Sequence, residues 1–497
     1  MDSVAAAPPA RHRAVILTGH YDVVSTRNYG GLEALAFDPE ALAPALVATL
    51  RAEVSAARSQ GAEAAHESQA LADLSSGEFI PGRGLLDMKA GLAVGLAILE
   101  DRAGAVVEGA VSGGHCDSLV FLAVPDEEGS SHGMLGAVRA LPGLMDEWNM
   151  TACAAINLDS AVDQGDGDAA RVAFTGSVGK THPFVLFVGR PTHAGAPFDG
   201  VNAALLAASF ARSVECAVDL VDQPPSDDPP PPPTILYFRE QRDHYDVTTP
   251  SAVFVSLNVL THRDGPARVL DQVSGQALAA MHETLTTLSG RADSLRASTG
   301  QSFRLPDRQP RVIGWAELSA MATAANPAAM ERARTVAEQA ADRIDALARF
   351  VSEAVLIAGL EGPAAVIGLA PPYYPRAALD PARDAWVMDA VRKVVDETAL
   401  TAGMTIGIRE FFPGISDMSF LYPSDDAEAR LKASSACPYG LDPLPSGFRC
   451  PVVNIGPWGR EYHQRLERMH AGYAFKVLPE LVKRTIEALS AAFPESP

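Results

Sequence analysis

The chain has 497 residues, 47 % of them apolar and 20 % charged. That is the composition of an ordinary globular protein, longer than one core fills, so a small disulfide-stapled fold and a disordered chain are both excluded. With 40 Lys and Arg against 61 Asp and Glu the net charge is −21; this field repels nucleic-acid phosphates and anionic lipid, so neither is expected as a partner, whereas carboxylates gathered around cations suit it.

The first stretch, Met1–Arg13, leads into an apolar run of only Ala14–Leu17, too short for the core of a signal peptide. Ala14–Leu17 stops at Thr-Gly-His, Leu119–Val124 at Pro-Asp-Glu-Glu, Ala152–Leu158 at Asp159, and Pro451–Ile455 at Gly-Pro. Short, continuous and rich in Val, Ile, Leu or Ala, these four runs predict strands buried on both faces. Between them the pattern predicts helices over Lys89–Glu100, where Gly91 and Gly95 permit close approach to a sheet, and over Gly133–Leu141. The Ala-rich stretch Pro39–Leu74 reads as an inserted surface helix. Such alternation argues for an α/β sheet with function at the strand ends.

The texture changes in the middle of the chain. Strand-like pieces at Phe184–Val188 and Ala252–Val259 are followed by a long helical tract, Pro327–Ala358, stopped by Gly359. Seven of the ten residues Pro224–Pro233 are proline, which predicts an exposed polyproline loop. The expected organisation is a catalytic domain in two pieces, 1–179 and 371–497, with a second domain, 180–370, inserted between them. No apolar run approaches the roughly 18 residues of a membrane span. The five cysteines (Cys116, Cys153, Cys216, Cys437, Cys450) are widely spaced with no CxxC pair, so neither a disulfide framework nor a thiolate zinc site is expected, and a reducing cytoplasm fits.

The residues with chemistry to offer follow the predicted strands. His20 and Asp22 are two apart at the end of the first, a spacing that puts both on one face of an extended chain. Asp87 stands at the mouth of a helix within Gly82-Arg83-Gly84-Leu85-Leu86-Asp87-Met88-Lys89-Ala90-Gly91; its bland role is a helix cap. Asp126, Glu127 and Glu128 crowd three carboxylates after the second strand, costly unless a cation neutralises them, although a solvated turn is the simpler account. Asp159 follows the third strand and His463 the fourth, with Glu467 one helical turn later. Taken in order, hard carboxylates and two imidazoles form the ligand set expected of a pair of zinc-like ions, one carboxylate bridging and another free as a base.

These residues resemble the co-catalytic dizinc metallopeptidases and deacylases, a family that includes acetylornithine deacetylase, succinyl-diaminopimelate desuccinylase, aminoacylase and glutamate carboxypeptidase. The resemblance implies a zinc-peptidase-like mixed α/β sheet flanked by helices, with an inserted α+β lid and dimerisation domain. It implies that His20, Asp87, Glu128, Asp159 and His463 hold two zinc ions (cobalt or manganese being possible substitutes), with Asp87 bridging and a cis peptide between Asp87 and Met88. Asp22 would orient His20, and Glu127 would be the general base. A lid signature, Gly189-Arg190-Pro191-Thr192-His193-Ala194-Gly195-Ala196-Pro197, assigns His193 to the substrate carbonyl, often across a homodimer. Gly31–Pro39, Pro371–Pro375, Phe411–Phe420 and Asn454–His463 look like the bacterial arginine-utilisation branch, and Ser416 and Asp417 are expected to line its substrate pocket. The helix and strand that usually precede the His-x-Asp strand are not found here, and the proline-rich loop is foreign to the pattern.

The expected activity is therefore hydrolysis of an amide bond in a small peptide or N-acyl amino acid. Two other classes compete. Gly129-Ser130-Ser131-His132-Gly133 matches the G-x-S-x-G nucleophile elbow and precedes Asp417 and His463 in α/β-hydrolase order, but Pro125–Glu128 separates it from its strand. A metal-free binding protein on the same fold would leave an intact ligand set unused. His12, His66, His115, His244 and His282 read as surface residues, and His470 is an alternative to His463.

Overall fold

In the computed structural model, described over residues 11–107, 118–163, 167, 171–222, 230–242, 244–301, 309–340, 342–424, 427–440 and 448–494, each apolar run lies in a strand. These strands are His12–His20, Ser118–Val124, Met150–Asn157 and Val452–Asn454. They join two short strands in a six-stranded sheet of order Gly407–Arg409, Val172–Phe174, Val452–Asn454, Met150–Asn157, His12–His20, Ser118–Val124. All neighbours are parallel except at one antiparallel pair, Asn454 with Phe174. The strand His12–His20 lies between two parallel partners, and Ala14 to His20 are all buried, which is why its sequence runs apolar without alternation.

Side chains from the sheet, Val15, Leu17, Ile156 and Val453, share a core with Leu92 and Ile98 of the helix Ala90–Val107, Val391 of Ala385–Ala402, and Leu481 of Leu478–Ala492. A Cβ on Gly91 would lie 2.1 Å from the Leu158 carbonyl oxygen, so the glycine sets how closely that helix approaches the sheet. The helix His132–Glu147 packs against Ser118–Val124 and Met150–Asn157. A second, four-stranded sheet has the order Phe79–Pro81, Arg468–His470, Trp458–Arg460, Ala161–Asp163. His463 sits in the loop of its antiparallel hairpin, between Trp458–Arg460 and Arg468–His470.

The chain divides into two compact units, one of Met1–Ser177, Ala377–Pro423 and Leu444–Pro497, the other of Val178–Arg376 and Ser424–Pro443. The second unit contains a five-stranded sheet of order Thr234–Glu240, Ala252–Thr261, Pro183–Val188, Ala364–Leu369, Arg311–Gly314. Alternate residues serve opposite faces, as the two-residue period of a strand requires. Phe184, Leu186 and Val188 pack under the helices Trp315–Ala325, Pro327–Glu338 and Arg343–Ala358, while Val185 and Phe187 pack under Ala203–Val214 and Pro266–Thr299.

Four expectations change here. The run Leu119–Val124, expected to be buried on both faces, forms the last strand in its sheet's order, and of Ser118–Val124 only Val124 is buried. The segment 424–443, read from sequence with the C-terminal catalytic piece, clusters with the second unit, where its helix Ala427–Ala436 packs on Pro266–Thr299 and Trp315–Ala325. The tract Pro327–Ala358 is two helices, because Asp342 caps a new start by accepting from the Ile344 and Asp345 N–H groups; Gly359, left-handed at φ 63, ends the second. Pro39–Leu74 likewise falls into two helices, Pro39–Ser59 and Ala65–Ser76. Most of the proline-rich stretch, and His115 and Cys116, lie outside the described residues.

His182 gives the second unit a pH signature. Its Nε2 lies 3.0 Å from the Ser256 hydroxyl, and burial, reinforced by the nearby Lys180 charge, lowers its pKa to about 4 from 6.5. Between those values the unfolded chain binds a proton that the folded chain does not, so stability falls as pH drops from 6.5 toward 4. The full loss is about 3 kcal/mol at 1.36 kcal/mol per unit. Denaturant unfolding at pH 7 and pH 4.5 is expected to show a larger decrease for the native chain than for His182→Gln; equal decreases would contradict it.

Candidate metal centre

His20 is the last residue of its strand, and Gly19 before it makes room for Met88, whose methyl carbon would lie 2.1 Å from a Cβ at that position. The Met88 sulfur accepts from the His20 N–H at 3.2 Å. The imidazole therefore emerges at the carboxyl end of a parallel-paired strand, where open α/β sheets place ligands. Its Nε2 lies 3.1 Å from Asp87 Oδ1 and 3.8 Å from Glu127 Oε2, and its Nδ1 lies 3.4 Å from Asp22 Oδ1. Gly84 has φ +74 and a Cβ there would lie 2.4 Å from Val23, so the turn that delivers Asp87 needs glycine. The Asp87–Met88 peptide is cis.

From the hairpin loop of the four-stranded sheet, His463 Nε2 reaches Asp87 Oδ2 and Glu128 Oε1, each at 2.9 Å. Asp87 thus turns one oxygen to each imidazole. His20, Asp87 and Glu128 can each offer a ligand atom within 4.8 Å of the others. Glu127 and Glu128 stand on a turn that Asp22 holds from below, its two oxygens accepting from their N–H groups at 3.2 and 3.1 Å. Asp22 therefore touches both the His20 ring and the carboxylate turn.

Asp159 is 4 % exposed. Asn454 fixes its backbone on both sides, Oδ1 accepting from the Asp159 N–H at 3.1 Å and Nδ2 donating to its carbonyl at 2.9 Å.

The electrostatics of this cluster call for a cation. Burial opposes a charge on His20, but its contacts with Asp22 and Asp87 and the charge of Asp159 push it up to about 12. His463 is raised to about 10 by Asp87 and Glu128, again against burial. Asp87, between the two rings, is held below the usual carboxylate range although burial acts the other way. Carboxyls without such a partner go the opposite way: burial and the charge of Asp87 lift Asp159 to about 7, and burial with the charge of Asp159 raises Glu127 well above its usual range. Five carboxylates of hard oxygen and two imidazoles face one another with too little positive charge, which is the chemistry of a divalent-metal site.

Of the sequence-derived residues, the structure brings together His20, Asp22, Asp87, Glu127, Glu128 and His463, with Asp159 beside them. Ser416 and Asp417 are likewise buried, 1 and 2 % exposed, and Ser416 receives a hydrogen bond from Asn157 at 3.0 Å. Asp417 lies close enough to the cluster for its charge to bear on Glu127 and for the His20 charge to bear on it. Ser131 is wholly buried at the start of the helix His132–Glu147, and His463 is engaged with carboxylates, so the serine-nucleophile arrangement is not assembled. His470 packs edge-on to Phe79 and accepts from the Tyr473 N–H at 3.0 Å; it is not in the ligand cluster. His193 lies in the second unit, exposed, with its Nδ1 accepting from the Gly195 N–H at 3.0 Å. Sequence reasoning missed Asn454 as the holder of Asp159, although it opens the Asn454–His463 motif.

Residues 66–491 match the model described as Peptidase family M20/M25/M40. The protein YqjN of Bacillus subtilis (strain 168) is 28 % identical over 487 residues, covering 96 % of this chain and 84 % of its own. Protein RocB of the same organism is 25 % identical over 502 residues, covering 95 % and 81 %. Among solved structures, the di-peptidase Dug1p from Saccharomyces cerevisiae aligns with TM-score 0.46 at 10 % identity, over 99 % of this chain and 82 % of that one. A tripeptidase from Staphylococcus aureus aligns with TM-score 0.44 at 15 % identity, over 97 % and 82 %.

Proposed function

The chain belongs to peptidase family M20/M25/M40, hydrolases of peptide bonds, and from that premise we propose that it is a two-metal amide hydrolase acting on a small peptide or N-acyl amino acid. The observation that carries the reading is Asp87, whose two oxygens face His20 at 3.1 Å and His463 at 2.9 Å. That is the placement a bridging carboxylate requires. In this proposal His20 and Asp159 complete one ion's set and Glu128 and His463 the other's. A pair of zinc-like ions, when bound, supplies Lewis acidity that polarises a carbonyl and lowers the pKa of water from 15.7 toward about 7.

The chain's own residues do the rest. Glu127, 7 % exposed and held by its N–H on Asp22, takes the proton from the attacking water and returns it to the leaving amine. Asp22 keeps the His20 ring and the Glu127–Glu128 turn in one register. Removing it leaves two N–H groups of the turn without their acceptor, so Asp22→Ala is expected to weaken metal binding about 10- to 100-fold, as outer-sphere losses do; competition with a chromogenic chelator measures this. His193 is proposed as the donor to the carbonyl oxygen, on its lid motif. His193→Ala is then expected to keep both ions and lose about 10²-fold in kcat, the cost of one oxyanion donor. A place in arginine or amino-acid catabolism rests on the motif resemblance, and a homodimer through the second unit on the family pattern.

The test is metal analysis of the purified protein together with a screen of dipeptides and N-acyl amino acids, with and without chelator. Activity lost to chelator and restored by zinc, cobalt or manganese supports the proposal. Chelator-resistant activity lost to a serine-directed phosphonate would replace it with the Ser131 reading.

A further inference from the structure

The loop that carries His463 is held by residues outside any ligand set. Glu467 is 0 % exposed; it accepts from the Gly84 N–H at 2.9 Å and pairs with the Arg83 guanidinium. Arg83, 3 % exposed, lies over the Tyr29 ring at 5.2 Å from its centroid. Its other terminal nitrogen donates to Asn28 Oδ1 at 2.9 Å. Asn28 in turn donates from Nδ2 to the backbone carbonyl of His463 at 2.8 Å. The orientation of this amide is unambiguous, because a guanidinium has only donors and a carbonyl only accepts. The chain of contacts therefore runs from the turn that delivers Asp87, through Arg83 and Asn28, to His463. It ends on a residue with a left-handed backbone, φ 62, a conformation that a non-glycine residue keeps only where its surroundings impose it.

We propose that Asn28 is a positioning residue for His463, fixing the ligand loop against the Asp87 turn so that the metal position shared by Asp87, Glu128 and His463 is preformed. The inference rests on the two-metal reading. Asn28 lies far from His463 in sequence and on the surface, where its loss does not open the core. Its amide is nevertheless the one side-chain link between Arg83 and the His463 carbonyl among the described residues. A contact of this kind orients a ligand and is typically worth about 10- to 100-fold in metal affinity. The effect should fall on one position, since His20 is held separately by Asp22 and Met88.

The experiment is cobalt titration, followed by visible absorption, of the native chain, Asn28→Ala and Asn28→Asp, with hydrogen exchange of segment 461–466 on the metal-free proteins. The Asp variant keeps an oxygen for Arg83 but offers no donor to the His463 carbonyl. Both variants are expected to bind one cobalt with native affinity and the second about 10- to 100-fold more weakly, with faster exchange in 461–466 and an unchanged global unfolding midpoint. Native-like cobalt binding by either variant overturns the proposal, as does equal weakening of both positions or a lowered unfolding midpoint, which would mark Asn28 as scaffold. A native chain that binds no cobalt sinks the two-metal reading instead; faster exchange in both variants would still support positioning, and unchanged exchange would overturn it too.

Discussion

Glu127→Gln is expected to retain two metal ions and lose about 10²- to 10⁴-fold in kcat, the range for removal of a positioned general base. Glu127 and Glu128 are neighbours in sequence, yet the structure gives them different surroundings. Glu128 Oε1 lies 2.9 Å from His463 Nε2, within the ligand cluster. Glu127 approaches His20 only to 3.8 Å, and burial and the Asp159 charge push its carboxyl well above its usual range, the direction in which a general base is tuned. Gln keeps the shape and the backbone contact with Asp22 while removing the basic oxygen. Glu128→Gln, by contrast, is expected to lower metal content as well as activity. Metal analysis beside steady-state kinetics decides the matter: equal metal loss in the two variants would mean that the roles are misassigned, and near-native kcat in Glu127→Gln would place the base elsewhere.

Much of this centre is legible in the sequence because parallel strands write themselves as unbroken apolar runs, and a strand that ends at His20, or shortly before Glu127 or Asp159, leaves polar residues at the sheet's carboxyl end. The direction of the fold's active edge follows from the same runs. What the sequence does not show depends on contacts between distant segments. Asn28, Arg83 and Glu467 are ordinary surface-type residues until the fold brings them together. The break at Asp342 is a local capping choice inside a tract whose composition is helical throughout. Nor does the Gly-Ile-Ser-Asp stretch show that Asp417 is buried at the start of the short helix Met418–Leu421, all four residues of which are buried too.

Asp87→Asn is expected to reduce the affinity of both metal positions together, by more than the roughly 10- to 100-fold typical of an outer-sphere change. No other side chain in the cluster contacts both imidazoles, Oδ1 facing His20 at 3.1 Å and Oδ2 facing His463 at 2.9 Å. Asparagine replaces one of those oxygens with an NH2 donor, which cannot ligate a cation. It also removes the negative charge that the two positions would share. In the proposed two-metal arrangement each position would then keep only its own ligands, His20 with Asp159 and Glu128 with His463. Glu128→Gln provides the contrast, since it should weaken the His463 position and spare the other. Chelator competition on Asp87→Asn, Glu128→Gln and the native chain resolves the two affinities. Loss confined to one position in Asp87→Asn would show that this carboxylate belongs to a single ion, and the bridged two-metal centre would have to be abandoned for two independent sites.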